Sequence, residues 1–131
     1  MDKAPQSIEL PGLEVVLDSL EYRPDISNVP SETPHAFVYH LTIRNNSNRT
    51  IRLLGRKWVV EDADGNHRVI EGDRIVGQTP KLAPGEAFSY NSFHLTAGNA
   101  RARGSFHGVD EFGNKIHVCT PVLEMIVPGL S

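Results

Sequence analysis

A single cysteine, Cys119, stands in the 131 residues, which excludes an internal disulfide and fits a reducing compartment. No apolar run approaches the ~20 residues a bilayer-spanning helix requires. The opening residues MDKAPQSIELPG lack the apolar stretch of a signal peptide. The 13 lysines and arginines are outnumbered by 16 aspartates and glutamates, a net charge of −3, so no global basic field exists to attract nucleic acid. These absences set the expectation of a cytoplasmic chain with no membrane and no nucleic-acid partner. The triplets Asn45-Asn46-Ser47 and Asn48-Arg49-Thr50 have the form of glycosylation acceptors, which a chain without a secretion signal does not use. No segment of about ten residues or more keeps a helical 3.6-residue period.

What is present is two-residue alternation. Residues 1–12 are polar, with prolines at 5 and 11, and read as a loose N-terminal segment ahead of one domain over 13–131. From Leu13 the pattern Leu13, Val15, Leu17 predicts a strand to about Tyr22, although Val16 breaks strict alternation. Residues 23–34 hold three prolines and read as a loop. Over 35–45, Phe37, Tyr39, Leu41 and Ile43 share one face, and Val38, His40, Thr42 and Arg44 the other. A second long strand is expected over 50–61, with Gly55 marking a bulge. Residues 72–81 and 94–100 read as loops, 82–86 as a turn and 87–93 as a strand. Pro121 interrupts the last strand region, which ends near Val127.

One device occurs twice. Asp62-Ala63-Asp64-Gly65-Asn66 has the spacing of Asp110-Glu111-Phe112-Gly113-Asn114, and each lies between two strand-like runs. Glycine falls where a three-residue hairpin loop needs a positive φ after a type I turn. Two tight hairpins are therefore predicted, 57–61 with 67–71 and 104–110 with 114–120. Many short strands with regular turn signals make the fold class all-β, a sandwich or a barrel, between which periodicity does not choose.

Residues 72–80 (GDRIVGQTP) and 82–92 (LAPGEAFSYNS) resemble the core of the ApaG family. The segments 39–45 (YHLTIRN), 53–64 (LLGRKWVVEDAD) and 104–113 (GSFHGVDEFG) resemble further family segments in the family's order, so the likeness covers about 13–128. It implies a two-sheet antiparallel β-sandwich, immunoglobulin/fibronectin type III-like, and, from its eukaryotic settings, protein–protein interaction. Bacterial members are linked genetically to cobalt resistance and magnesium efflux, and the resemblance carries over no catalytic residue. The family often shows GxGxxG at this point; here Gly72 and Gly77 match while Arg74 replaces the middle glycine. That glycine lets backbone approach a pyrophosphate in nucleotide-binding folds, which also need a following helix. Pro80 and the all-β context oppose such a helix, leaving a loop between strands or an anion site served by Arg74.

The remaining candidates follow from position. A three-residue loop at 111–113 sets His107 opposite His117 on one sheet face, half of a zinc or cobalt site if the rings converge, with Cys119 on the same face. Otherwise they are two exposed imidazoles; His35, His40, His67 and His94 show no ligand spacing. Trp58 and Tyr90 read as core packing. Phe112 sits at a hairpin tip, where burial is difficult; it is a candidate partner anchor, or else folds back onto its own hairpin. Arg49, Arg52, Arg56 and Lys57 form one basic stretch and Arg101 and Arg103 another, which would suit an acidic partner if they met in space. No spacing joins Ser89, Ser92, Asp110 and His107 into a nucleophile beside a base. The expectation is a non-enzymatic binding module with no cofactor and a protein partner, connected with divalent-cation homeostasis through the family link. The alternative is a small-ligand domain for a divalent metal or a phosphate.

Overall fold

The computed structural model describes residues 6–130, and every regular element among them is a strand. In chain order these are β1 (Ile8–Glu9), β2 (Leu13–Tyr22), β3 (His35–Asn45), β4 (Ile51–Asp62), β5 (His67–Asp73), β6 (Lys81–Leu82), β7 (Ala87–Thr96), β8 (Ala100–Asp110), β9 (Lys115–Cys119) and β10 (Leu123–Met125). One sheet runs β1-β9-β8-β4-β5, with β10 on β8 and β6 on β4; the other runs β2-β3-β7. The two face each other as an open β-sandwich of the fibronectin type III-like class. All named pairs are antiparallel except β1 with β9.

The alternation read from the sequence becomes the core. Phe37, Tyr39, Leu41 and Ile43 of β3 are all buried, as are Trp58 and Val60 of β4, Phe106 of β8 and Val118 of β9. Removing each such side chain from water is worth about 2 kcal/mol. In β4 the inward set changes parity: Ile51 and Leu53 are buried, then Trp58 and Val60. The switch is a bulge, where β4 slips against β8 between Leu53 and Gly55 and leaves Leu54 38% exposed. Gly55 thus adjoins the expected irregularity. Val16 faces outward by plain alternation with Leu13, Val15 and Leu17; a second slip, between Leu17 and Ser19 of β2, moves the inward set to Leu20 and Tyr22 and leaves the Asp18 carboxylate on the Thr42 hydroxyl. Thr42 Oγ1 also lies 2.8 Å from Ser89 Oγ, so a polar chain crosses β2, β3 and β7 on the outer face.

Both hairpins form in the predicted register, Lys57 opposite Glu71 and Val109 opposite Lys115. Each closes alike: Gly65 N–H donates to Asp62 O at 3.0 Å, and Gly113 N–H to Asp110 O at 3.1 Å. The glycines adopt φ of 88° and 82°, as the turn type requires.

Three boundaries differ from expectation. Strand β7 continues through Thr96, because His94, Leu95 and Thr96 pair with Phe37, Ala36 and His35; the connection shortens to 97–99. Strand β5 extends to Asp73, and Lys81–Leu82 add a short pairing to β4, so the expected loop 72–81 shrinks to 74–80. The segment 1–12 is tied down where it is described: Ile8 and Glu9 pair with Ile116 and His117, and Leu10 is buried. Residues 1–5 lie outside the described residues. No helix among the described residues is long and apolar enough to cross a membrane.

Candidate functional site

The β8–β9 hairpin presents Phe112, which is 74% exposed at the tip. Beneath it the Asp110 side chain is fully buried and accepts from Phe112 N and Asn114 N at 2.9 Å, Asn114 Nδ2 at 3.1 Å and Arg49 Nη1 at 2.9 Å. Burial alone would raise the Asp110 pKa. The hydrogen bonds from Asn114, Phe112 and Arg49 outweigh it and hold the carboxyl below its ordinary value. The hairpin is thus pinned from within, whereas its twin at 62–66 has no such charge beneath it: Asp62 is half-buried.

The Gly72–Gly77 loop is a second tight turn. Ile75 N donates to Gln78 O at 2.7 Å and Gln78 N to Ile75 O at 3.0 Å, while Arg74 N donates to Leu54 O at 2.7 Å. These amides are occupied and do not face a free anion. Ile75 is fully buried and anchors the turn. Arg56, from the inner side of β4, donates Nη1 to the carbonyls of Asp73 and Arg74, both at 2.9 Å. Arg74 itself is exposed, with φ of 69°. Val76 is also left-handed, at φ 48°, and 56% exposed. A β-branched side chain stores strain there without packing in return. Val76→Asn or Val76→Gly is expected to raise the urea unfolding midpoint by the equivalent of about 1 kcal/mol. An unchanged midpoint counts against stored strain.

His107 and His117 do stand directly opposite one another. Their rings turn apart. The His107 ring lies over Gly55 of β4, with Nε2 only 2.5 Å from where a Cβ on Gly55 would sit, and His117 Nδ1 lies 2.7 Å from Ser7 Oγ beside β1. Among the described residues no three histidine, cysteine, aspartate or glutamate side chains cluster to hold a metal ion. Cys119 is exposed on the same face, opposite Ser105.

The two basic stretches meet only in part. Lys57 pairs with Ser105, and Arg103 with Val59, so Lys57 and Arg103 are diagonal neighbours on the outer face of the larger sheet. Arg101 pairs with Glu124 at 3.0 Å, Arg49 is committed to Asp110 and Arg56 faces inward. The serines, aspartate and histidine weighed as a triad are dispersed. Ser89 bonds Thr42 on the smaller sheet, Ser92 lies opposite Tyr39, Asp110 is held by Arg49, and His107 lies on the outer face of the larger sheet.

The sequence reading passed over the seam where β7 lies across β4. Tyr39, Trp58, Tyr90 and His94 form an aromatic cluster, with His94 4.8 Å from Trp58 and 5.0 Å from Tyr39 between ring centroids. Trp58 Nε1, Tyr90 Oη and His94 Nε2 are buried with no hydrogen-bond partner among the described residues. Burial, with a smaller effect of nearby Arg68, lowers the His94 pKa to about 4, and burial raises that of Tyr90. Spacing offered no signal for this, since the four residues come from three strands that only the fold brings together.

The chain was compared with known proteins. The ApaG domain matches residues 26–110. The chain is 38% identical over 112 residues to Protein ApaG of Acidovorax sp. (strain JS42), covering 83% of this chain and 81% of that protein. It is 27% identical over 124 residues to Protein ApaG of Yersinia pseudotuberculosis serotype O:1b, covering 94% and 98%. The crystal structure of the putative ApaA protein from Bordetella pertussis superposes with a TM-score of 0.76 at 26% identity, over 94% of this chain and 99% of that one. The segments 72–80 and 82–92, on which the resemblance first rested, both lie within the matched residues, and the chain belongs to the ApaG family.

Proposed function

We propose that this domain is a non-enzymatic recognition module that binds a protein partner, with Phe112 as an anchor. The observation that carries the reading is a large aromatic side chain, 74% exposed, on a hairpin whose tip is locked by the buried Asp110 carboxylate. An exposed aromatic on a rigid support loses little entropy on binding and gains most from desolvation. A link to cobalt or magnesium homeostasis would then run through the bound protein, because His107 and His117 are turned apart. The single cysteine suits action in the cytoplasm.

The test is affinity capture with the wild type, Phe112→Ala and Arg74→Ala, each first shown to unfold at the wild-type urea concentration. Phe112→Ala is expected to weaken capture of the main partner at least tenfold, about 1.4 kcal/mol. Arg74→Ala reports on the separate surface of the Gly72–Gly77 loop. Identical partners at identical yield for all three proteins would remove both surfaces from the reading.

A further inference from the structure

The two sheets differ in width, and the difference leaves one strand position empty. The smaller sheet ends at β7, which lies over β4, as the His94–Trp58 contact shows. The larger sheet continues one strand further, to β5. On β5, Arg68, Ile70 and Gly72 pair with Val60, Trp58 and Arg56, so they lie on the inward face, yet Ile70 is only half-buried and Arg68 is exposed. Among the described residues no strand of the smaller sheet covers them.

The edge of β7 beside that space is open. Asn45 N donates to Glu86 O, which places the even-numbered backbone groups of this strand toward β3. Leu95 O accepts from Arg68 Nη2 at 2.7 Å, which places the odd-numbered groups outward. Ala87, Ser89, Asn91 and Phe93 therefore direct their N–H and C=O groups at the empty position. Edge strands are normally guarded by charge, proline or a bulge. The opposite edge, β2, has Glu14, Asp18, Glu21 and a register slip. Strand β7 (AFSYNSFHLT) has no lysine, arginine, aspartate, glutamate or proline, and its pairing with β3 is unbroken over ten residues.

The floor of the position has its own pattern. The Arg56 guanidinium lies over Gly72, 3.2 Å from where a Cβ there would sit. The inward face of β5 thus reads cation, apolar, cation: Arg68, Ile70, then Arg56 above Gly72, at a spacing of about 7 Å. Neither arginine forms an ion pair among the described residues. We propose that β7 and the uncovered face of β5 receive an extended segment of a partner protein as a fourth strand of the smaller sheet, with an acidic–apolar–acidic inward face. Main-chain bonds to β7 supply affinity and the alternate side chains supply selectivity. The inference rests on the reading of the domain as a protein-recognition module, but uses a surface separate from Phe112.

The probe is acetyl-Thr-Glu-Thr-Val-Thr-Glu-Thr-amide, whose inward set is Glu-Val-Glu in either strand direction. Titration into the full chain, followed by backbone amide NMR, is expected to give saturable shifts centred on Ser89, Asn91 and Phe93. Arg68→Glu should weaken binding at least tenfold, and the peptide with both glutamates changed to lysine should not bind. Asn91→Pro removes an outward N–H while leaving the β3 ladder intact, and should abolish binding. If that variant fails to fold, Arg68→Glu, an exposed substitution, decides alone. The proposal is overturned by shifts centred elsewhere, by equal binding of the lysine peptide, by no saturable shift at about 1 mM, or by a dimer through β7 in the free protein. Phe112→Ala is expected to bind the probe as the wild type does, so failure here leaves the Phe112 reading standing, and the reverse.

Discussion

Gly108→Ala is expected to destabilise the domain by more than about 3 kcal/mol, a large part of the stability of a domain this size. Gly108 lies opposite Leu53, at the bulge of β4. A Cβ there would lie 1.9 Å from Arg52 O, 2.8 Å from Arg52 C and 2.9 Å from Leu53 Cα. These are main-chain atoms in the central strand pair of the larger sheet. They cannot rotate away as a side chain can, so relief requires parting β4 from β8. The control is Gly98→Ala, in the β7–β8 turn, where the new methyl would meet only Leu130 Cδ2 at 3.6 Å; it should change stability by less than about 1 kcal/mol. Urea unfolding of the two variants checks this, and comparable losses in both would refute the steric argument.

The second large effect is one of pH. His94 is neutral in the folded state, its pKa lowered by burial from 6.5 to about 4. The unfolded chain takes up a proton as pH falls through 6.5, and the folded chain does not until near 4. The contribution to stability is therefore complete above pH 6.5 and lost as pH falls toward 4, by about 3 kcal/mol in all and about 2 kcal/mol at pH 5. His94 Nε2 has no hydrogen-bond partner among the described residues, so His94→Phe should lie within about 1 kcal/mol of wild type at pH 7. At pH 5 it should be the more stable protein by about 2 kcal/mol. Urea midpoints at both values check it; parallel pH dependence in the two proteins would mean His94 is not the group responsible.

The strands were legible wherever one face is buried and the other wet. The run from Phe37 to Ile43 declares its own orientation, and the two Asp-x-x-Gly-Asn turns set register because turn geometry leaves no freedom. The tip position of Phe112 left exposure and folding back onto the hairpin both open; the structure has it exposed. His94 was misread as loop because Phe93 to Leu95 break simple alternation; its place in β7 depends on pairing with β3. The two-residue strand β1 is too short to have a period. The facing positions of His107 and His117 followed from the hairpin, but their diverging rings depend on Gly55 and Ser7, remote neighbours that spacing does not reveal. The uncovered face of β5 could not be read at all, since it is a property of the relative widths of two sheets.

The pairing of β4 with β8 has a consequence for how the chain comes to be folded. Three strands, β5, β6 and β7, are made between them, and among the described residues β8 is followed by the short strands β9 and β10. While the protein is being synthesised, the hairpin of β4 and β5 emerges with the β8 side of β4 unpaired and Trp58 still without its neighbour Phe106. The pairing of β4 with β8 is complete only when Asp110 has left the ribosome. Closure over so long a loop belongs to the slow class of folding events, milliseconds to seconds. The nascent domain thus passes through an interval in which a long strand edge is open to other chains, and a chaperone's attention would fall there.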